Sequence, residues 1–98
     1  MERTLIADLG QHIDDTVKIS GWLHVLRDQK SMQFIVLRDR TGMAQVAHWK
    51  KGNPELAEQI STLGTESALT CTGKVVTNRS VKLGGLEIQL EELVIESA

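Results

Sequence analysis

The sequence has few cysteines, prolines and aromatic residues. Its 98 residues include one cysteine, one proline, one phenylalanine and two tryptophans, and there is no tyrosine. One cysteine excludes an internal disulfide, and no cysteine–histidine spacing in the chain could form a zinc site. No apolar run approaches the roughly 20 residues of a membrane-spanning helix, and no secretory signal opens the chain. We therefore expect a reduced, soluble, cytoplasmic protein with a single domain over residues 1–98 and no membrane partner.

Neither sign of charge dominates the chain, since 11 Lys and Arg oppose 13 Asp and Glu for a net charge of −2. The distribution is uneven, however. Residues 18–51 carry a net charge of +5 and residues 74–84 carry +3, while the remaining segments are acidic. Screening limits the reach of each charge to roughly 8–10 Å at cellular salt, so a local basic segment can still attract phosphates. The pattern indicates where an anionic partner would bind, with chance clustering as the alternative.

Alternation of apolar and polar residues predicts strands along most of the chain. The predicted strands cover residues 17–25, 34–37, 43–48, 68–77 and 86–91. Between the third and the fourth, Asn53 and Pro54 predict the start of a helix that ends before Gly64. An all-β chain of five strands with one helix between strands three and four has the element order of an OB-fold barrel. Gly21 and Gly73 lie within strands, at places where a small barrel bends them.

The alternation also separates inward from outward side chains. Val17, Ile19, Leu23 and Val25 form the predicted core set of the first strand. The outward set is His24, Phe34 and Gln45, near the cationic residues Arg27, Lys30 and Lys82. An aromatic ring can stack on a base, an amide can read a base edge, and cations can hold phosphates. The pattern favours single-stranded nucleic acid as the ligand, against the alternatives that Phe34 lies in the core and that Gln45 and His24 are ordinary surface residues.

No catalytic, cofactor or metal site is predicted. The histidines His12, His24 and His48 have no nucleophile or carboxylate at a telling spacing. Cys71 lies on the inward side of its strand, where a buried small hydrophobic residue is expected.

Two motifs carry a family resemblance: G-W-x-x-x-x-R-D at residues 21–28 and F-x-x-x-R-D-R-x-G-x-x-Q-V at residues 34–46. Together they closely resemble the N-terminal anticodon-binding domain of aspartyl-tRNA synthetases, and more loosely that of the asparaginyl and lysyl enzymes of the same class II subclass. The resemblance covers nearly the whole chain. It implies binding to the anticodon loop of tRNA-Asp and, in relaxed enzymes of this family, also of tRNA-Asn.

The resemblance also implies roles for individual residues. Phe34 matches the phenylalanine that stacks on the central anticodon uridine, and Gln45 matches the glutamine that reads this base. Arg27 and Glu87 match an arginine and a glutamate beside the anticodon. His24, where strict archaeal-type enzymes often have tryptophan, favours relaxed recognition. The candidates for phosphate contacts are Lys30, Arg79 and Lys82.

The catalytic domain of a class II synthetase needs several hundred further residues, so these 98 residues cannot activate an amino acid. We expect the chain to be the anticodon-binding part of a homodimeric aspartate–tRNA ligase that uses ATP and Mg²⁺. Two alternatives stay open. One is a free-standing barrel that binds single strands generally, and the other is a protein-interaction barrel that uses Trp22, Trp49 and Met43.

Overall fold

Strands account for most of residues 2–97, the part of the chain that the computed structural model describes. The elements are a 3₁₀ helix at Ile6–Gln11, β1 at Thr16–Asp28, β2 at Met32–Asp39, β3 at Gly42–Trp49, a 3₁₀ helix at Lys50–Gly52, α1 at Pro54–Ser61, β4 at Ala68–Thr77 and β5 at Leu86–Ser97. The strands close into a barrel in the order β1-β2-β3-β5-β4. All neighbours are antiparallel except β3 and β5, which are parallel. The predicted OB fold is confirmed.

The helix begins where the sequence predicts. The Asn53 side chain accepts a hydrogen bond from the Leu56 amide at 3.1 Å, which satisfies one of the free N–H groups of the first turn. Leu56 and Ile60 are buried against the barrel core. The helix ends at Ser61, earlier than the predicted Gly64, with Thr62 as its C-cap. Within residues 2–97, no helix is both long and apolar enough to cross a membrane.

A β-bulge at His24 overturns one prediction about the core. In the pairing of β1 with β2, Leu23 lies opposite Leu37 and Val25 lies opposite Val36, so His24 is an extra residue on β1. Beyond the bulge the side chains change face. Val25 is 39% exposed and Leu26 packs against the core instead, so the prediction that Val25 lies inside is wrong.

Gly21 and Gly73 lie where strands come too close for a side chain. A Cβ atom at Gly21 would lie 2.2 Å from the carbonyl oxygen of Arg38, and one at Gly73 would lie 2.2 Å from that of Gln89. Both glycines are therefore required by the close approach of neighbouring backbones, in agreement with their predicted place at bends of the barrel.

Asp39 organises the turn between β2 and β3. Its carboxylate accepts hydrogen bonds from Thr41 and Gly42 in the turn and from the amide of Ile6 in the N-terminal 3₁₀ helix. Partial burial acts to raise the pKa of Asp39, but these donors outweigh it and hold the pKa below its usual value. The contact with Ile6 fastens the N-terminal helix to the barrel, where Ile6 and Leu9 join the core.

A buried polar pair joins the helix to the sheet. Gln33 and His48 are cross-strand neighbours on the inner face, and His48 Nδ1 lies 3.0 Å from Gln33 Oε1. The amide nitrogen of Gln33 donates to the carbonyl of Ala57 in α1 at 2.8 Å. Burial lowers the pKa of His48, so the ring is neutral at pH 7. Nothing in the strand pattern predicts this pair. Cys71 is buried as expected, which raises the pKa of its thiol to about 12.

Candidate nucleic-acid interface

The outer faces of β1, β2, β3 and β5 arrange the predicted site in two cross-strand rows. The first row is Arg27, Phe34, Ala47 and Gln89, and the second is Val25, Val36, Gln45 and Glu87. Directly opposed side chains in such pairs have their Cβ atoms roughly 4.5–5.5 Å apart. Phe34 and Gln45 therefore lie on adjacent strands in adjacent rows, within reach of a single ligand.

Phe34 lies on the outside of the barrel. Its neighbours Gln33 and Ile35 point inward and are almost completely buried, while Phe34 itself is only half-buried. Arg27 lies opposite it on β1, and the small Ala47 lies opposite it on β3. The alternative that Phe34 belongs to the core does not hold. A partly exposed ring with a cation beside it suits stacking against a base.

Gln45 and Glu87 are brought together by the parallel pairing of β3 with β5, although 42 residues separate them in the chain. The Gln45 amide nitrogen donates to the Glu87 carboxylate at 2.8 Å. Asn78, at the start of the loop between β4 and β5, donates to the same carboxylate oxygen at 3.2 Å. The sequence does not predict this contact, because the bond depends on the loop folding back over β5.

The outer surface of β1, β2 and β3 is called the β1–β3 face below. A cleft of about 390 Å³ opens between this face and the β4–β5 loop. Four predicted residues line it: His24, Arg27, Gln45 and Lys82. Met43 and Ser80 also line it, and the sequence did not predict Met43 as a contact to nucleic acid. His24 is exposed at this place because it is the bulged residue of β1.

Backbone hydrogen bonds within residues 78–85 hold the β4–β5 loop in a defined conformation. The amide of Asn78 donates to the Gly85 carbonyl at 2.8 Å, and the amide of Gly85 donates to the Val81 carbonyl. Gly84 and Gly85 have φ angles of 78° and 70°, in the left-handed region that favours glycine. Val81 is buried beneath the loop. These contacts place Lys82 over the cleft rather than leaving it on an unsupported chain.

Two cations of the basic segments contact other side chains of the protein. Lys50 forms an ion pair with Asp28 at 2.6 Å, and hydrogen bonding to Lys50 holds the pKa of Asp28 below its usual value. Arg38 lies over the Trp22 ring, 5.1 Å from its centre. Among residues 2–97, neither Arg27 nor Lys82 has a carboxylate within 4.0 Å, so both can face an anion.

Lys30 and Arg79 do not line the cleft. Lys30 is exposed in the β1–β2 connection, three residues beyond Arg27, and Arg79 is exposed on the β4–β5 loop. Lys30 follows the end of β1, and Arg79 directly follows Asn78 in the chain. They stay predictions for contacts to a phosphate backbone that runs past the cleft.

The three apolar residues of the protein-interaction alternative do not all lie together: Trp22 and Met43 are the cross-strand neighbours of Arg38, and Trp49 lies at the other end of β3. Trp22 is half-buried beside Arg38. Met43 and Trp49, which are 39% and 57% exposed, lie six residues apart on β3, a span of roughly 20 Å. The geometry therefore favours the nucleic-acid face over this alternative.

A closed five-stranded barrel that presents a partly exposed aromatic ring, an oriented amide and free cations on one face is an OB domain of the kind that binds single-stranded nucleic acid. The comparison with known families narrows this class. The chain belongs to the tRNA anticodon family, described as an OB-fold nucleic acid binding domain, whose model matches residues 17–96.

Individual relatives agree with this family. The chain is 39% identical over 95 residues to the asparagine–tRNA ligase of Desulforamulus reducens, covering 97% of this chain and 22% of that protein. It is 38% identical over 99 residues to the aspartate–tRNA(Asp/Asn) ligase of Rickettsia akari, covering 95% of this chain and 16% of that protein. The chain thus spans about a fifth of the length of the curated relatives it matches.

A solved structure shows the same relationship. The crystal structure of asparaginyl-tRNA synthetase from Pyrococcus horikoshii, complexed with asparaginyl-adenylate, superimposes with a TM-score of 0.91 at 25% identity. The match covers 100% of this chain and 23% of that one. The resemblance to the anticodon-binding domain of aspartyl- and asparaginyl-tRNA synthetases is confirmed.

Proposed function

We propose that this barrel binds the anticodon loop of a tRNA and is the anticodon-recognition module of an aspartate–tRNA ligase. Its first candidate ligand is tRNA-Asp, and tRNA-Asn is the second. The observation that carries the proposal is the placement of Phe34 next to the Gln45–Glu87 pair on the outer face of a barrel of this family.

Each part of the face has a chemical task. The ring of Phe34 stacks on one unpaired base, a contact worth roughly 1–3 kcal/mol. Gln45 reads the edge of a base, because an amide offers both a donor and an acceptor. Arg27 and Lys82 stand on opposite sides of the cleft and hold the phosphates of the loop.

The role in a whole enzyme is a proposal that rests on the relatives. They are named aspartate–tRNA(Asp/Asn) and asparagine–tRNA ligases, and the chain matches about a fifth of their length. In such an enzyme this barrel would select the tRNA, and the rest would charge it using ATP and Mg²⁺, as a cytoplasmic homodimer. Neither cofactor is assigned to the residues of this chain.

The test measures binding of the chain to anticodon stem-loops at fixed low salt. The three stem-loops carry the anticodons GUC, GUU and GCC and are otherwise identical. We expect GUC to bind at least about fivefold more tightly than GCC, since a base-edge contact is worth about 1–3 kcal/mol. Equal affinity for GUC and GCC would reject anticodon recognition and favour a general single-strand binder. Equal affinity for GUC and GUU would identify relaxed recognition of both tRNAs.

A further inference from the structure

The Glu87 carboxylate is shared between two amide side chains. Its Oε2 atom accepts from Gln45 Nε2 at 2.8 Å and from Asn78 Nδ2 at 3.2 Å. An ionised carboxylate can only accept hydrogen bonds. Both amides must therefore turn their NH₂ groups toward Glu87, which determines the orientation of the Gln45 amide.

The other end of the Gln45 amide is free to meet a ligand. Among the hydrogen bonds of residues 2–97, none involves Gln45 Oε1, and Gln45 lines the cleft. A carbonyl oxygen in this orientation is an acceptor and attracts a base that offers a ring N–H. Uridine carries such a donor at N3, whereas cytidine, a ring of the same size, carries a lone pair there.

Asn78 connects this pair to the loop that covers the cleft. Its Oδ1 accepts from the backbone amide of Ser80 at 3.0 Å, which closes a local turn, while its Nδ2 reaches Glu87. Asn78 thus uses both ends of its side chain, one for the loop and one for the carboxylate. Without the second bond, Glu87 would keep only Gln45 as a side-chain partner among the described residues.

We propose that Asn78 is a positioning residue for base recognition: by holding Glu87 it orients Gln45, so that the site selects uridine over cytidine. This inference rests on the proposed anticodon-binding function. It assigns Asn78 no contact with the base, and it makes the orientation of one amide the source of the discrimination.

The substitution Asn78→Asp separates the two bonds of the side chain. Aspartate keeps the oxygen that accepts from Ser80 but places a second carboxylate against Glu87, where an acceptor cannot replace a donor. The matched control is Asn53→Asp, which makes the same charge change at the N-cap of α1, where aspartate is an equally good cap. The measured quantity is the ratio of dissociation constants for the GCC and GUC stem-loops.

We expect Asn78→Asp to lower this ratio by about five- to tenfold, at the lower end of the range that one base-edge contact supplies. Asn53→Asp should leave the ratio unchanged while weakening both stem-loops equally. A folded Asn78→Asp variant that keeps the wild-type ratio within a factor of two would overturn the role of Asn78. An equal loss of discrimination in Asn53→Asp would overturn it as well, because charge alone would then explain the effect.

If Asn78→Asp fails to fold, as judged by circular dichroism, Glu87→Gln tests the carboxylate through which Asn78 is proposed to orient Gln45. A neutral amide at position 87 can donate as well as accept, so the Gln45 amide is free to turn and the ratio should fall. An unchanged ratio in this variant would overturn the inference. A wild-type protein with no preference for GUC over GCC would instead reject the proposed function, which keeps the two failures distinct.

Discussion

Two open surfaces on this barrel each display an aromatic residue, and they differ in what surrounds it. On the β1–β3 face, the half-buried Phe34 stands beside Arg27, and Lys82 lies across the cleft. A groove of about 320 Å³ between α1 and the later part of β5 is lined by Glu55, Glu91 and Glu92. An adjoining hollow, which also reaches Glu91, contains Trp49.

The difference shows why the net charge of −2 is a poor guide to ligand type. Two of the acidic segments, residues 52–73 and 85–98, contribute glutamates to the groove, while parts of the basic segments meet at the β1–β3 face. Because screening limits the reach of each charge to roughly 10 Å, the charges near a surface matter more to its ligand than the net charge does. An aromatic residue alone therefore does not identify the binding face. The charges around it do.

Exchanging the two aromatic residues for alanine is the strongest test of this contrast. We expect Phe34→Ala to weaken binding to the GUC stem-loop by roughly 1–3 kcal/mol, since one stacked base is lost. Trp49→Ala is the matched control in the hollow that reaches Glu91; Trp49 lies two residues along β3 from Ala47, the partner of Phe34, and its removal should cost much less affinity. Titrations of both variants, with thermal melts to verify folding, provide the comparison. A loss of RNA affinity in Trp49→Ala as large as that in Phe34→Ala would contradict the assignment of the face.

The cations allow a second, smaller test. Lys82→Ala should weaken all stem-loops alike and reduce the slope of log affinity against log salt by about 0.7, the value for one phosphate contact with a single strand. Lys51→Ala removes the same charge beside the acidic region, where Lys51 is exposed next to the Trp49 end of β3. The slope of log affinity against log salt for Lys51→Ala should equal that of the wild type. Equal slopes for the two variants would mean that only net charge matters.

The buried pair of Gln33 and His48 predicts a pH effect on stability, the smallest of the three. The pKa of His48 is lower in the folded protein than in the unfolded chain, so the unfolded chain binds the proton first as the pH falls. The contribution of His48 to the free energy of unfolding is complete above the usual pKa of histidine, near 6.5, and decreases as the pH falls below it.

Urea unfolding at pH 7.5 and pH 5.5 measures this effect, and His48→Gln is its control. Glutamine can donate to Gln33 as the ring does but does not titrate in this range. The wild type should therefore lose more stability than the variant between the two pH values. Equal losses would show that His48 does not contribute.

Several features could be predicted from short stretches of the chain, because their causes are local. Alternation marks the strands, and the Asn53 cap with Pro54 marks the helix start. The two motifs at residues 21–28 and 34–46 indicate the family, and the parity of β2 places Phe34 outside. Each of these signals involves residues that are neighbours in the chain.

Only the tertiary structure decided which residues of the candidate site contact each other. The bulge at His24 depends on how β1 pairs with β2, and it turns Val25 outward and carries Arg27 to the binding face. The contact of Asn78 and Gln45 with Glu87 requires the parallel closure of β3 on β5 and a loop folded over both. Such contacts join residues far apart in sequence, and no local pattern encodes them. The sequence by itself determined a five-stranded barrel, its family and the alternation that turns Phe34 outward, and barrel closure determined the orientation of the Gln45 amide on the same face.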